Sequence, residues 1–264
     1  MRILRTVSEV REALRVPDGR VGLVPTMGAF HEGHIALMRS AREACDTVVV
    51  SLFVNPSQFG AADDLARYPR DEAADARAAD GAGVDLLFTP SVEELYPSGF
   101  DTRVEPGALA TTLEGASRPG HFRAVATVCT KLFSIVRPDI AFFGRKDAQQ
   151  VTVVKRLAAD LNVPIEIVAV PTIRDSDGLA LSSRNVFLSP AERTTALALP
   201  RALEAGLAAH RSGEGTVHAA RAVLDAERAL TVEYVALADF DGPTLCAAVR
   251  IGATRLIDNV CLER

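Results

Sequence analysis

The 264 residues predict an α/β fold, a Rossmann-like parallel sheet with helices on both faces, plus a smaller α+β C-terminal domain. Three observations lead there. Short, almost wholly apolar runs such as DTVVVSLFVNP (46–56), VDLLFTP (84–90) and DIAFFG (139–144) have the composition of strands buried on both faces. Amphipathic stretches of helical length alternate with them, as a parallel sheet requires. After about residue 173 that alternation stops.

Taken in order, RVGLVPTMG (20–28) ends a β-rich run and EGHIALMRSAREA (32–44) has helical spacing at Ile35, Met38 and Ala41. The strand at 46–56 follows, then the charged, alanine-rich helix DEAADARAADGAG (71–83), closed by glycines, and the strand at 84–90. Beyond a looser segment come the helix HFRAVATVCTKLFSIV (121–136), the strand DIAFFG, the helix AQQVTVVKRLAADL (148–161) and the strand VPIEIVAVP (163–171). Then SPAERTTALALPRALEAGLAAHR (189–211) is expected as one long helix from a Ser-Pro cap, with TVHAARAVLDAERA (216–229) as a second. VEYVALADF, LCAAVRIG and TRLIDNVCLE are three β runs with no helix between them. The division expected is 1–173 for the parallel-sheet domain and 174–264 for a smaller α+β domain.

Charge and composition narrow the function. With 29 basic and 34 acidic residues the net charge is −5, so no overall field calls for nucleic acid or anionic lipid. No run reaches the roughly 18 apolar residues of a spanning helix, and the N-terminus lacks an apolar signal core. Four cysteines stand far apart without a C-x-x-C pair, as buried thiols of a reducing compartment do. The expected location is therefore cytoplasmic, away from membranes and nucleic acid.

Ligands on parallel sheets bind outside the carboxyl ends of the strands. Those ends read TMGAFHEGH (26–34), VNPSQFG (54–60), FFGRKDAQQ (142–150) and PTIRDSDGLALSSRN (171–185). Each mixes glycine with groups that hold phosphates and small polar ligands. Gly28 and Gly33 allow a tight turn, and a helix starting near Gly33 aims its N–H groups and positive dipole end at an anion. His31 and His34 are three apart, whereas a zinc helix places its histidines at i and i+4 with a further ligand elsewhere. Phosphate binding, capping and surface placement all remain open for the two imidazoles. Lys146 with Ser182, Ser183 and Arg184 forms a candidate polyphosphate clamp, although a Ser-Ser-Arg turn is equally a cap. Gln58 and Gln150 suit a carboxylate or hydroxyl, and each taken singly is also an ordinary surface glutamine.

PTMGAFHEGH (25–34), FVNPSQF (53–59), RYPR (67–70), RPGHFRAVATV (118–128), FFGRKDAQQ (142–150), DGLALSSRN (177–185) and TRLIDN (254–259) together resemble the pantothenate synthetase family, within the HIGH-type nucleotidyltransferases. The resemblance runs over nearly the whole chain and implies that 1–173 is an ATP- and pantoate-binding catalytic domain and 174–264 a lid over its site. It implies an ATP-dependent ligase joining (R)-pantoate to β-alanine through a pantoyl adenylate, releasing AMP and pyrophosphate, with Mg²⁺ as cofactor and a homodimeric assembly. By motif, Pro25, Thr26, Met27, Gly28, Ala29, Phe30, His31, Glu32, Gly33 and His34 would line ATP, with His34 the proton donor and His31 and Lys146 beside it in catalysis. Gly144, Arg145, Lys146, Asp147, Ile173, Leu181, Ser182, Ser183 and Arg184 would hold the nucleotide. Gln58 and Gln150 would hold pantoate, with Gln58 also near β-alanine; Asn55, Tyr68, Arg118 and Glu114 are further pocket candidates, and Asp75 is the candidate for Mg²⁺.

Two positions depart from the family pattern. Arg145 stands where Glu is common and is expected to point to solvent or to add charge beside the nucleotide. Ala124 replaces a usual Gly and is expected to stiffen a loop closing over the pocket. Two rival readings remain: a nucleotidyltransferase making a stable nucleotide conjugate, which leaves SQF and DAQQ unexplained, and a non-catalytic nucleotide-binding protein, which would not need the full set of His31, His34, Lys146, Ser182, Ser183 and Arg184.

Overall fold

The computed structural model describes residues 1–16, 19–60 and 62–263. The chain divides into two compact units, Met1–Gly144 with Gln149–Val170 and Arg145–Ala148 with Pro171–Arg264.

The first unit is built on a six-stranded sheet of β1 (Arg2–Leu4), β2 (Val21–Thr26), β3 (Thr47–Leu52), β4 (Leu86–Phe88), β5 (Ile140–Gly144) and β6 (Glu166–Val170). The spatial order is β1-β4-β3-β2-β5-β6 and every pairing is parallel. Its helices are α1 (Val7–Ala13), α2 (Glu32–Ala44), α3 (Ala62–Arg67), α4 (Glu72–Gly81), α5 (Val92–Leu95), α6 (Glu114–Ser117) and α7 (His121–Val136), and α8 (Ala148–Asp160) follows β5.

Successive strand residues point to opposite faces, so an all-apolar strand feeds two cores. Leu23, Val49, Ala141 and Phe143 join a core with α7, while Val24, Val48, Val50 and Phe142 join a second core with Ile35, Met38 and Ala41 of α2. Both faces of the sheet are therefore covered, as the apolar runs predicted. From β2 the chain builds outward to β3 and β4, then returns to β5 and β6 on the other side of β2. In sheets of this kind, ligands bind outside the carboxyl ends of the strands at such a reversal, here β2 and β5.

The second unit holds α9 (Pro190–Ala196), α10 (Ala198–Arg211), α11 (Thr216–Asp225) and an antiparallel sheet of β7 (Thr231–Asp239), β8 (Pro243–Ile251) and β9 (Thr254–Cys261) in the order β7-β8-β9. Its core joins Leu199, Ala202 and Leu203 of α10 to Leu245, Ala247 and Val249 of β8. The α/β class with a small α+β second part is borne out.

Three local expectations are corrected. The single helix over 189–211 is two helices meeting at Leu197. Pro200 is the reason: it has no N–H to give residue 196 and its ring crowds that carbonyl, whereas in the first turn of a new helix it is tolerated. Ala124 lies not in a closing loop but in the first turn of α7, buried, where alanine suits the helix better than glycine. The N-terminal segment, which suggested no element, forms β1 and α1. Thr6 and Glu9 cap α1 reciprocally, and the T-x-x-E spacing was legible for that.

Candidate active site

β2 ends at Thr26, whose hydroxyl donates to the Ser51 carbonyl at 2.6 Å. The chain then turns through Gly28 at φ 85° and Ala29 at φ 54° before α2 begins. A non-glycine residue with positive φ needs support. The support is Asp75 on α4, a carboxylate only 5% exposed. Its two oxygens accept from the Ala29 N–H at 2.9 Å and the Phe30 N–H at 2.7 Å. A Cβ at Gly28 would come within 2.9 Å of the same carboxylate, so glycine is required there by space as well as by φ.

His31 is the N-cap of α2, and its Nδ1 accepts from the Gly33 N–H at 3.1 Å. His34 reaches back so that its Nδ1 accepts from the His31 N–H at 3.4 Å. The rings lie 4.2 Å apart between centroids, tilted by 41°. A ring nitrogen that accepts a hydrogen bond carries no proton, so each neutral imidazole holds its proton on Nε2. Capping is therefore what the geometry gives both imidazoles, and it fixes the tautomer that carries the proton on Nε2. Glu32, the first helical residue, is exposed and faces Arg39 at 3.8 Å.

Next to β3, Pro56–Gln58 forms one 3-10 turn capped by Asn55. Asn55 is fully buried; its oxygen accepts from the Ser57 N–H at 3.2 Å and its amide donates to Gln58 Oε1 at 3.0 Å. The Gln58 side chain is thereby aimed by a neighbour. Its backbone carbonyl accepts from Arg118 Nη2 at 3.1 Å. Tyr68 is buried, edge-on to Phe59 with centroids 5.5 Å apart. Gln150 is half-buried on α8, one residue after Gln149, whose side chain is 4% exposed and bound to backbone groups of 109–114.

In the second unit, the Arg145–Asp147 turn is held by Asn259, whose amide donates to the carbonyls of Arg145 at 3.0 Å and Lys146 at 2.8 Å. Arg145, expected at solvent or beside the nucleotide, is half-buried, and its guanidinium donates to the Phe240 carbonyl at 3.2 Å. Ser182 caps a 3-10 turn over Ser183–Phe187, its hydroxyl accepting from the Arg184 N–H at 3.3 Å. The Ile173 carbonyl accepts from the Leu181 N–H at 3.0 Å, closing a small loop whose Arg174 forks onto buried Asp258 at 2.6 and 3.0 Å.

Among the described residues no group of three His, Cys, Asp or Glu side chains could hold a metal ion. Asp75, the sequence candidate for Mg²⁺, has both oxygens engaged by backbone N–H groups.

The architecture and the motifs can be set beside known proteins. The family model described as pantoate-beta-alanine ligase matches residues 2–261. The chain belongs to the pantoate–β-alanine ligase family. Its relatives include the pantothenate synthetase of Pelotomaculum thermopropionicum, 52% identical over 99% of each chain, and that of Heliobacterium modesticaldum, 51% identical over 100% of each. In structure it is similar to the pantothenate synthetase of Thermus thermophilus, with TM-score 0.96 and 46% identity over 100% of both chains. The ligase of Francisella tularensis, complexed with beta-gamma ATP and beta-alanine, superposes with TM-score 0.87 at 34% identity, over 100% of this chain and 98% of that one.

Against the family's motifs, sequence reasoning missed the residues that hold others. Asn259 sits in TRLIDN, a motif it recognised without a role. Gln149 was passed over for Gln150, and His121, 8% exposed beside Arg118, was read only as a helix start. The signal in each case was position within a recognised motif. What each side chain binds is not encoded in spacing.

Proposed function

We propose that the chain condenses (R)-pantoate with β-alanine, forming pantothenate, AMP and pyrophosphate through pantoyl adenylate. The observation that carries the reading is the Asp75-clamped turn before α2, where two imidazoles cap the helix through Nδ1 and carry their protons on Nε2. That is an anion site with an acid built into it.

In the first step a pantoate carboxylate oxygen bonds to the α-phosphorus of ATP and the bond to the β-phosphate oxygen breaks, releasing pyrophosphate. Two unit negative charges 4 Å apart repel by roughly 4 kcal/mol at an effective dielectric near 20. Lys146, Arg184 and the positive end of α2 offset that repulsion, and His34 Nε2–H donates to the phosphate as charge builds on it. The backbone at 25–34, 144–147, 173 and 181–184 holds the nucleotide. Gln58 and Gln150 hold pantoate by neutral hydrogen bonds, which leave its carboxylate nucleophilic.

In the second step the β-alanine amine bonds to the acyl carbon and AMP leaves with the bonding pair. A Lys-like amine of pKa about 10.4 is neutral in only about one part in a few thousand at pH 7, so a proton must leave first. β-Alanine keeps its own carboxylate throughout, and Arg118, beside Gln58, is the cation suited to it. Mg²⁺ enters with the ATP phosphates, and no step is assigned to a protein-held ion. A cytoplasmic location fits four cysteines that form no disulfide, and a homodimer rests on the family resemblance alone.

The test is product analysis with ATP, pantoate and β-alanine, each omitted in turn. AMP and pyrophosphate are expected only when pantoate is present, and pantothenate only when β-alanine is added. ADP as product, or a strong preference for CTP, overturns the reading.

A further inference from the structure

We propose that Gln149, which no substrate role requires, is a positioning residue: it holds a strained turn at Leu113 and through it sets Arg118 against Gln58. Leu113 has φ 47° and ψ −111°, a region that glycine enters readily and a leucine does not. Gln149 spans this turn. Its Nε2 donates to the carbonyls of Leu109 and Thr112, both at 2.9 Å, and its Oε1 accepts from the Glu114 N–H at 3.0 Å. Both amide protons are used, and the donor–acceptor order is the one only Gln or Asn provides.

The next residue is equally constrained, since a Cβ on Gly115 would sit 1.9 Å from the Ala110 carbonyl oxygen. The turn then launches α6, whose Glu114 carbonyl accepts the Arg118 N–H at 2.8 Å. From there the Arg118 guanidinium donates to the Gln58 carbonyl and, at 3.1 Å, meets His121 Nε2. Guanidinium only donates, so Nε2 accepts, and His121 Nδ1 carries the proton toward the Gln58 carbonyl at 3.3 Å. The path from Gln149 to Gln58 is a chain of hydrogen bonds and one helical turn. Strain kept at such a place by a buried clamp is characteristic of sites that need a fixed geometry.

This rests on the ligase reading in assigning Arg118 to the β-alanine carboxylate. Misplacing a binding group costs ground-state and transition-state binding alike, so KM rises while kcat is nearly kept. In Gln149→Ala the KM for β-alanine is expected to rise at least about tenfold, with kcat and the KM for ATP within about threefold of wild type. Leu113→Gly is the decisive partner: glycine takes the turn conformation without a clamp, so Gln149→Ala with Leu113→Gly should return KM to within about threefold of wild type. Deuterium uptake at 108–118 should be at least about fivefold faster in Gln149→Ala than in wild type and slower again in the double variant. A folded Gln149→Ala with wild-type KM and uptake overturns the proposal, as does a defect that Leu113→Gly fails to relieve. A wild-type chain making no pantothenate overturns the ligase reading instead, and the uptake comparison still decides the clamp.

Discussion

His34 and Lys146 carry the chemistry proposed at the scale of single residues. His34 is the third residue of α2, with Nδ1 accepting from backbone, and Lys146 stands on a turn whose carbonyl Asn259 holds. Removing a positioned acid or a charge-stabilising group costs at least about 10²-fold, so His34→Ala or Lys146→Ala should slow pantoate-dependent pyrophosphate release by that much. Unchanged release in both would remove the site assignment. Asp75 makes a different kind of prediction. Asp75→Asn keeps one acceptor but turns an NH₂ toward a backbone N–H, leaving a buried donor unmatched at about 1–3 kcal/mol. Ala29 at φ 54° then loses part of its support. A lower melting temperature and a raised KM for ATP are expected, with the Mg²⁺ concentration giving half-maximal rate nearly unchanged. A large shift in that Mg²⁺ requirement instead would make Asp75 a metal ligand.

At the scale of elements, caps and close approaches decide where each helix sits. α2 starts where two histidines can cap it, α9 starts at the Ser189 and Glu192 box, and Pro200 divides a stretch whose apolar spacing alone reads as continuous. Gly206 shows why composition misleads. In an exposed helix interior, Gly→Ala stabilises by about 1 kcal/mol. Here a Cβ would come within 2.3 Å of Leu245 Cδ2 and 3.1 Å of the Thr216 carbonyl, and Leu245 is fully buried with no room to yield. Overpacking of that kind costs about 1–3 kcal/mol, which exceeds the propensity gain. Gly206→Ala should therefore lower the urea midpoint, and a raised midpoint would mean that α10 and β8 pack less closely than described.

At the scale of the whole molecule, stability should fall on the alkaline side. Burial pushes the Cys129 thiol well above the ordinary thiol range, up to about 12, and burial likewise pushes the Tyr96 hydroxyl up to about 12. Between pH 9 and 12 the unfolded chain loses the Cys129 proton while the folded chain keeps it, so the unfolded state gains stability as pH rises. The cost is about 1.4 kcal/mol per pH unit for that one group. A urea midpoint that declines above pH 9 in wild type, and less steeply in Cys129→Ala, is expected; identical slopes would remove the assignment. Much of the molecule was legible beforehand. Alternating apolar runs and amphipathic stretches set the parallel sheet, because the period of burial is a local property. The motifs carried the family. The clamps were not legible: Asp75 under the Gly28 turn, Asn259 on the Lys146 carbonyl and Gln149 across Leu113 each join residues about 35 to 115 positions apart. Sequence by itself determined which segments carry apolar faces to bury, since that follows from each residue's own affinity for water. Only the tertiary structure decided which buried polar group satisfies which backbone donor, because a hydrogen bond depends on where two distant atoms finally meet.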